Sequence, residues 1–140
     1  MKTQSLGIIA VISTLGLVTG CGSSRDVALS GTVTADSAIS GGPVRLEVYE
    51  HQQSSDSNAT TDLKFVDAVA LDNLGKFDKT VPIEGDKIHV FAFIDANKDE
   101  KCTDGEAWGE SEAAIQKDDT ATVSLNIVAE SKCPALPAAN

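Results

Sequence analysis

The chain has 140 residues, enough for one domain with a real core, and it carries a formal net charge of −10 at pH 7. So acidic a surface repels the phosphates of nucleic acids, which excludes them as partners, and it attracts cations. It offers no basic patch for an anionic membrane, so attachment to a membrane must come from another feature.

The first 20 residues have the layout of a bacterial secretion signal. Lys2 supplies a positive start, an apolar run extends over residues 6–18, and small residues precede Cys21. The end of this segment resembles a lipobox, the motif at which lipoprotein signal peptidase cuts before a lipid-modified cysteine. We therefore expect a signal peptide over residues 1–20, lipid on Cys21 and a short tether over residues 21–26. An uncleaved transmembrane helix is disfavoured, because the apolar run is short and contains Gly, Ser and Thr.

This anchor predicts a location on the cell membrane or the outer membrane, facing the periplasm or the cell surface. Gly22 follows Cys21 where lipoproteins retained in the inner membrane often carry Asp, so the lipoprotein resemblance favours the outer membrane. The protein would contact the membrane through its lipid.

Period-two alternation of apolar residues predicts β-strands along the rest of the chain. The predicted strands span residues 27–34, 44–50, 63–71, 76–83, 87–94, 111–116 and 120–128. The run that ends at Ile94 is apolar on both faces from Val90 onward, which indicates a central strand covered on both sides. No amphipathic helix follows the signal, so we expect an all-β fold. It would be a single β-sandwich of about seven strands over residues 27–130, with an irregular tail over residues 131–140.

An acidic loop, residues 95–106, directly follows the predicted central strand. Its oxygen-bearing side chains fall at positions 1, 3, 5 and 12 of a calcium-binding loop, and position 7 of that pattern contributes a backbone carbonyl. Calcium takes six to eight oxygen ligands, so this spacing suits it. The predicted ligands of a structural Ca²⁺ are Asp95, Asn97, Asp99, Lys101 and Glu106.

Two positions of the loop depart from the pattern. The sixth, where the pattern has Gly for a sharp turn, is Glu100, and the ninth is Thr103 with Asp104 beside it. The alternative is a solvated acidic turn between two strands. A true EF-hand is disfavoured because a strand rather than a helix enters the loop. Zinc is disfavoured because neither histidine is near the loop in sequence and Cys102 is expected to be bridged.

Three cysteines have two predicted roles. With Cys21 assigned to lipid, Cys102 and Cys133 remain as a disulfide pair in an oxidising compartment. This bridge would fasten the C-terminal tail to the acidic loop. Two free thiols, or pairing between molecules, are the alternatives.

The sequence contains no catalytic motif, such as a nucleophile elbow, a phosphate-binding glycine loop or a His-Glu-x-x-His pair, so we expect no enzymatic activity. His51 is assigned to a mobile polar loop over residues 51–62, and His89 to the face of its strand that also carries Lys87. Trp108 is interpreted as a core residue or a cap over the acidic loop rather than as a sugar-stacking residue.

Three stretches are similar to transthyretin-like modules, a group that includes carboxypeptidase-regulatory-like and collagen-adhesin B-type domains. They are the strand pair from Gly31 to Val48, the turn Asp72-Asn-Leu-Gly-Lys-Phe77, and the run that follows Gly85. The acidic loop also resembles the calcium loop of B-repeat modules in bacterial surface adhesins. This resemblance implies an immunoglobulin-like or transthyretin-like β-sandwich.

The same resemblance implies a non-enzymatic binding or adhesion module that holds a protein or glycan ligand. The alternative function is a structural accessory lipoprotein that docks an envelope protein complex, in which calcium only rigidifies a loop.

Overall fold

The computed structural model of the chain describes residues 23–52, 62–130 and 132–138. The predicted signal peptide, Cys21 and most of the predicted polar loop lie outside the described residues. The described segments contain seven strands and no helix long and apolar enough to cross a membrane, which confirms the all-β prediction. The strands are β1 (Arg25–Ala35), β2 (Val44–Gln52), β3 (Asp62–Leu71), β4 (Gly75–Ile83), β5 (Lys87–Ile94), β6 (Trp108–Ala114) and β7 (Thr120–Ile127).

These strands form two sheets that face each other as a β-sandwich. The smaller sheet has the order β4-β1-β7 and the larger sheet the order β3-β2-β5-β6. Neighbouring strands are antiparallel except for β1 and β7, which run parallel. This order differs from that of constant-type immunoglobulin domains, in which the first strand pairs with the second.

The core lies between the sheets and is built from alternate residues of each strand. In β7, for example, Ala121, Val123, Leu125 and Ile127 are all buried while the residues between them are not. Each large apolar side chain buried in this way contributes about 1.5–3 kcal/mol. Other fully buried members of this core are Leu29, Leu46, Ile83 and Ile88.

The larger sheet is also covered on its outer face, the side that is turned away from this core. Tyr49, Phe91 and Phe93 form an aromatic cluster there, with relative exposures of 1%, 2% and 0%. Trp108 and Leu136, both half-buried, pack against it. The prediction that β5 is central and covered on both faces is therefore confirmed.

Five strands begin earlier or end later than predicted, and two of these differences change the place of His51 and Trp108. β2 continues to Gln52, which pairs with Asp62 of β3, so His51 belongs to a strand and its assignment to a mobile loop was wrong. β6 begins at Trp108 rather than at residue 111, because Trp108 pairs both with Phe93 of β5 and, through an isolated bridge, with Val128.

Gly109 brings the edge of the larger sheet against the smaller one. A Cβ atom at this position would lie 2.3 Å from the carbonyl oxygen of Asn126, closer than real Cβ contacts come. A glycine is therefore required for β6 to meet the end of β7, and this junction closes the sandwich beside Trp108.

Candidate functional site

The acidic loop leaves β5 at a buried carboxylate. Asp95 is 7% exposed, and its backbone N–H donates to the carbonyl of Pro43 at 3.0 Å. Its two carboxylate oxygens accept from the backbone N–H groups of Asp99 at 3.1 Å and Glu100 at 3.2 Å. Asp95 therefore holds the loop backbone in place through its own hydrogen bonds, without a cation.

The next two predicted ligands are arranged in the same way. The Asn97 side-chain oxygen accepts from the N–H of Asp99 at 3.1 Å, and the Asp99 carboxylate accepts from the N–H of Lys101 at 2.9 Å. An ionised carboxylate has about four acceptor positions, so these bonds leave lone pairs for a cation. The alternating oxygens thus belong to one tight loop whose backbone N–H groups orient them.

Glu100, the residue that departs from the calcium-loop pattern, adopts the conformation that the pattern requires of glycine. Its φ is 61°, in the left-handed region that favours Gly, and Lys98 is similar at 58°. The Glu100 carboxylate lies 3.0 Å from the Arg45 guanidinium of β2. This ion pair fastens the loop to the outer face, which is a physical reason for a glutamate here.

The acidic side chains at the end of the loop bond to nearby backbone groups and do not converge with Asp95 and Asp99 on one point. Glu106 accepts from the N–H of Thr103 at 2.9 Å, and Asp104 faces the tail, where it accepts from the N–H of Cys133 at 3.4 Å. In the described part of the chain, Asp95, Asp99 and Glu106 do not bring three ligand atoms within 4.8 Å of one another.

The tail is held across the outer face by a covalent bond and by packing. Cys102 and Cys133 form the predicted disulfide, with Cα atoms 5.8 Å apart. The Trp108 indole N–H donates to the carbonyl of Lys132 at 2.9 Å, and the Trp108 ring lies 5.6 Å from that of Phe91. Trp108 is therefore a packed residue between sheet and tail, as the sequence indicated.

A cleft of about 380 Å³ lies between the acidic loop and the tail, and we refer to it as the tail cleft. This volume is within the usual range for sites that bind small molecules or peptide side chains. Its walls are lined by residues 99–102 of the loop and by Pro134 and residues 136–138 of the tail. Its floor is formed by Arg45, Glu47, Tyr49 and Phe91.

The floor of the tail cleft is a row of polar groups on β2. Glu47 accepts one hydrogen bond from Arg45 at 2.9 Å and another from the Tyr49 hydroxyl at 2.6 Å. Burial, reinforced by the adjacent Glu47 carboxylate, raises the pKa of Tyr49 well above its ordinary value, so its hydroxyl stays protonated. The cleft therefore combines an apolar wall with an ordered, charged floor.

A second group of polar side chains lies further along the same face, and we call it the imidazole cluster: His51 of β2, His89 of β5 and Glu112 of β6. The cluster can place one ligand atom from each residue within 4.8 Å of the others. His51 Nε2 lies 3.2 Å and His89 Nδ1 lies 3.8 Å from the same oxygen of Glu112, Oε1. Among the described residues, no other trio of His, Cys, Asp or Glu meets that distance.

The surroundings of the imidazole cluster set its charge states. Glu112 is paired through its other oxygen with the ammonium of Lys87, and this contact lowers the pKa of Glu112, which therefore stays ionised. Burial lowers the pKa of His51, and the neighbouring Lys87 and His89 add to that effect, although Glu112 opposes it. A neutral His51 imidazole beside an ionised carboxylate is the result at neutral pH.

This cluster was not predicted from the sequence, although the alternation of the strands contains a signal for it. His51 lies two residues after Tyr49, on the same face, and Tyr49 is opposite His89, which is opposite Glu112. Correct pairing of β2, β5 and β6 would have brought the three residues together. Zinc was weighed only at the acidic loop, and each histidine was judged by itself.

No family model, curated protein or solved structure matches this chain. Its function has to be inferred from its own side chains.

The double variant Cys102→Ser/Cys133→Ser tests the covalent attachment of the tail. We expect its free energy of unfolding to be lower by about 3–4 kcal/mol, the chain-entropy value for a closed loop of this length. Urea denaturation of the oxidised protein and the variant measures the difference. A loss below about 1 kcal/mol would show that packing on the aromatic cluster holds the tail without the bond.

Proposed function

We propose that this chain is a lipid-anchored binding module of the bacterial cell envelope, without catalytic activity, and that its ligand occupies the tail cleft. The cleft is the observation that carries the proposal. It joins apolar side chains of the tail, such as Pro134 and Leu136, to a fixed array of charged groups on β2. Such a mixture suits a peptide segment or a glycan, which present apolar faces and hydrogen-bonding groups together.

The construction of the cleft also supports binding rather than chemistry. One wall is a loop fastened by Arg45 and by Cys102, and the other is a tail fastened by Cys133. Walls fixed before the ligand arrives reduce the entropy lost on binding. The docking of an envelope protein complex, with no ligand in the cleft, is the second candidate function.

We further propose that Ca²⁺ binds the acidic loop through the five predicted ligands, Asp95, Asn97, Asp99, Lys101 and Glu106. The left-handed backbone at Glu100 and the inward orientation of the first three side chains support this assignment. In this proposal the ion draws in Glu106 and stiffens the wall of the tail cleft, so calcium serves binding indirectly.

Thermal melting with calcium and with chelator tests the ion. Calcium at about 100 times its dissociation constant should add about 2.7 kcal/mol of stability. Asp99→Asn should abolish most of that gain, because the variant loses a ligand charge. Asp95→Ala is less informative, since Asp95 also holds the loop backbone.

The matched control is Asp78→Asn, an exposed carboxylate of β4 in the other sheet, which should keep the full calcium effect. Identical melting curves with calcium and chelator would show that the loop is a solvated turn that binds no calcium.

The lipid anchor at Cys21 is inferred from the sequence, since that residue lies outside the described part of the chain. Cells grown with radioactive palmitate should yield a labelled protein in the membrane fraction. Cys21→Ser should remove both the label and the membrane association. A labelled Cys21→Ser protein, or an unlabelled wild type, would contradict the anchor.

Glycan and peptide arrays probed with the purified chain test the tail cleft as the ligand site. Ala138→Trp places a large ring at the cleft, and we expect it to abolish array binding. Ala135→Trp is the matched control, because Ala135 is exposed on the same tail but does not line the cleft. Binding that Ala138→Trp leaves intact, or no binding by the wild type, would favour the docking function instead.

A further inference from the structure

The imidazole cluster is chemically distinct from the acidic loop, although both lie on the larger sheet. The loop offers oxygen atoms alone, whereas the cluster offers two imidazoles and one carboxylate. Asp95 lies six positions after His89, just beyond the end of β5, which corresponds to roughly 20 Å along an extended strand. We propose that His51, His89 and Glu112 form a second metal site, which binds a divalent transition cation of the zinc class.

The donor set and its spacing fit such an ion. Two histidines and one glutamate are a known zinc-ligand set, in which a fourth position is left to water or to another ligand. Bonds of about 2.0–2.1 Å in a tetrahedral site place neighbouring ligand atoms roughly 3.3 Å apart. The observed 3.2 Å and 3.8 Å from the imidazole nitrogens to Glu112 Oε1 bracket that value. Small side-chain rotations are therefore enough to close the site around an ion.

The burial of the two imidazoles is a second observation. His89 is 8% exposed, and the side chain of His51 is 15% exposed. The Nε2 atom of His51 is shielded from solvent and lies 3.2 Å from Glu112 Oε1 without forming a hydrogen bond of normal geometry. Buried polar atoms that lack a well-formed hydrogen bond are rare in folded proteins, and an ion is one of the accepted explanations.

Neighbouring charged residues orient the three ligand side chains. Lys87 engages Glu112 Oε2, so Oε1 is the oxygen that faces both imidazoles. Glu110 has a carboxylate oxygen 3.2 Å from His89 Nε2, on the far side from the His89 Nδ1 contact with Glu112. A carboxylate at the second nitrogen of a metal-binding histidine orients the ring and raises its basicity. Glu110 is therefore assigned as a positioning residue.

The two proposed sites would bind different cations, because their donor atoms differ. Imidazole nitrogen favours Zn²⁺, Cu²⁺ and Ni²⁺, whereas an all-oxygen loop favours Ca²⁺. A cavity of about 530 Å³, which His51 and Lys87 help to line, adjoins the imidazole cluster. A further donor group, from water or from a bound molecule, can reach the ion from that side.

The test uses the full-length chain, purified in detergent without a histidine tag, freed of metal and titrated with Zn²⁺. The chain contains two histidines, so ¹⁵N labelling of histidine gives signals from His51 and His89 alone. We expect one Zn²⁺ per chain, with both imidazoles shifted at the same stoichiometry. This readout on the wild type does not depend on whether any variant folds.

Calorimetric titration of variants then assigns the ligands. His51→Gln and Glu112→Gln should each weaken Zn²⁺ binding more than about 100-fold, and Glu110→Gln by about 10–100-fold, as expected for removal of an orienting partner. Asp99→Asn is the control and should leave the affinity unchanged, which separates this site from the calcium loop. Zn²⁺ that shifts neither imidazole, or only one, would overturn the proposal, as would an unchanged affinity in His51→Gln.

Discussion

The disulfide between Cys102 and Cys133 joins the acidic loop to a tail that belongs to neither sheet. Through it, Leu136 and its neighbours are kept over aromatic side chains that the larger sheet turns away from the core. A sheet buried on both faces needs such a cover, because Phe91 and Phe93 would otherwise meet water. The tail supplies it with one covalent bond, the indole hydrogen bond of Trp108 and a few apolar contacts.

The outer face is organised along the rows of side chains that β2, β5 and β6 contribute to it. At one end the rows carry Arg45 and Phe93, beneath the loop and the tail, and at the other end they carry the two histidines. Strand pairing therefore converts residues that are far apart in sequence into neighbours on a single surface. The aromatic ring of Tyr49 lies between the two regions, 6.2 Å from His89, and separates the tail cleft from the imidazole cluster.

The positions of the strands were largely predictable, because a strand is marked by the pattern of apolar residues within its own short segment. Alternation and short apolar runs located all seven strands, and most ends were placed within two residues. What alternation does not contain is which strand lies beside which, since that depends on pairing across the whole chain. His51, His89 and Glu112 meet only through that pairing, so the two histidines were judged one by one and Glu112 was not considered.

The predicted calcium ligands, in contrast, lie within a dozen consecutive residues, so their spacing could be recognised from the sequence. Even there the sequence could not show that Arg45, fifty-five positions before Glu100, would hold the loop against the sheet.

The parallel pairing of β1 with β7 affects how the chain reaches this structure. Eight residue pairs connect the first strand to the last, from Ala28 with Thr120 to Ala35 with Ile127. The central strand of the smaller sheet therefore stays unpaired on one edge until almost the whole chain is available. Contacts so distant in sequence form slowly, because the intervening chain must be closed into a loop first. The smaller sheet of this sandwich is therefore completed only after its last strand, β7, has been synthesised.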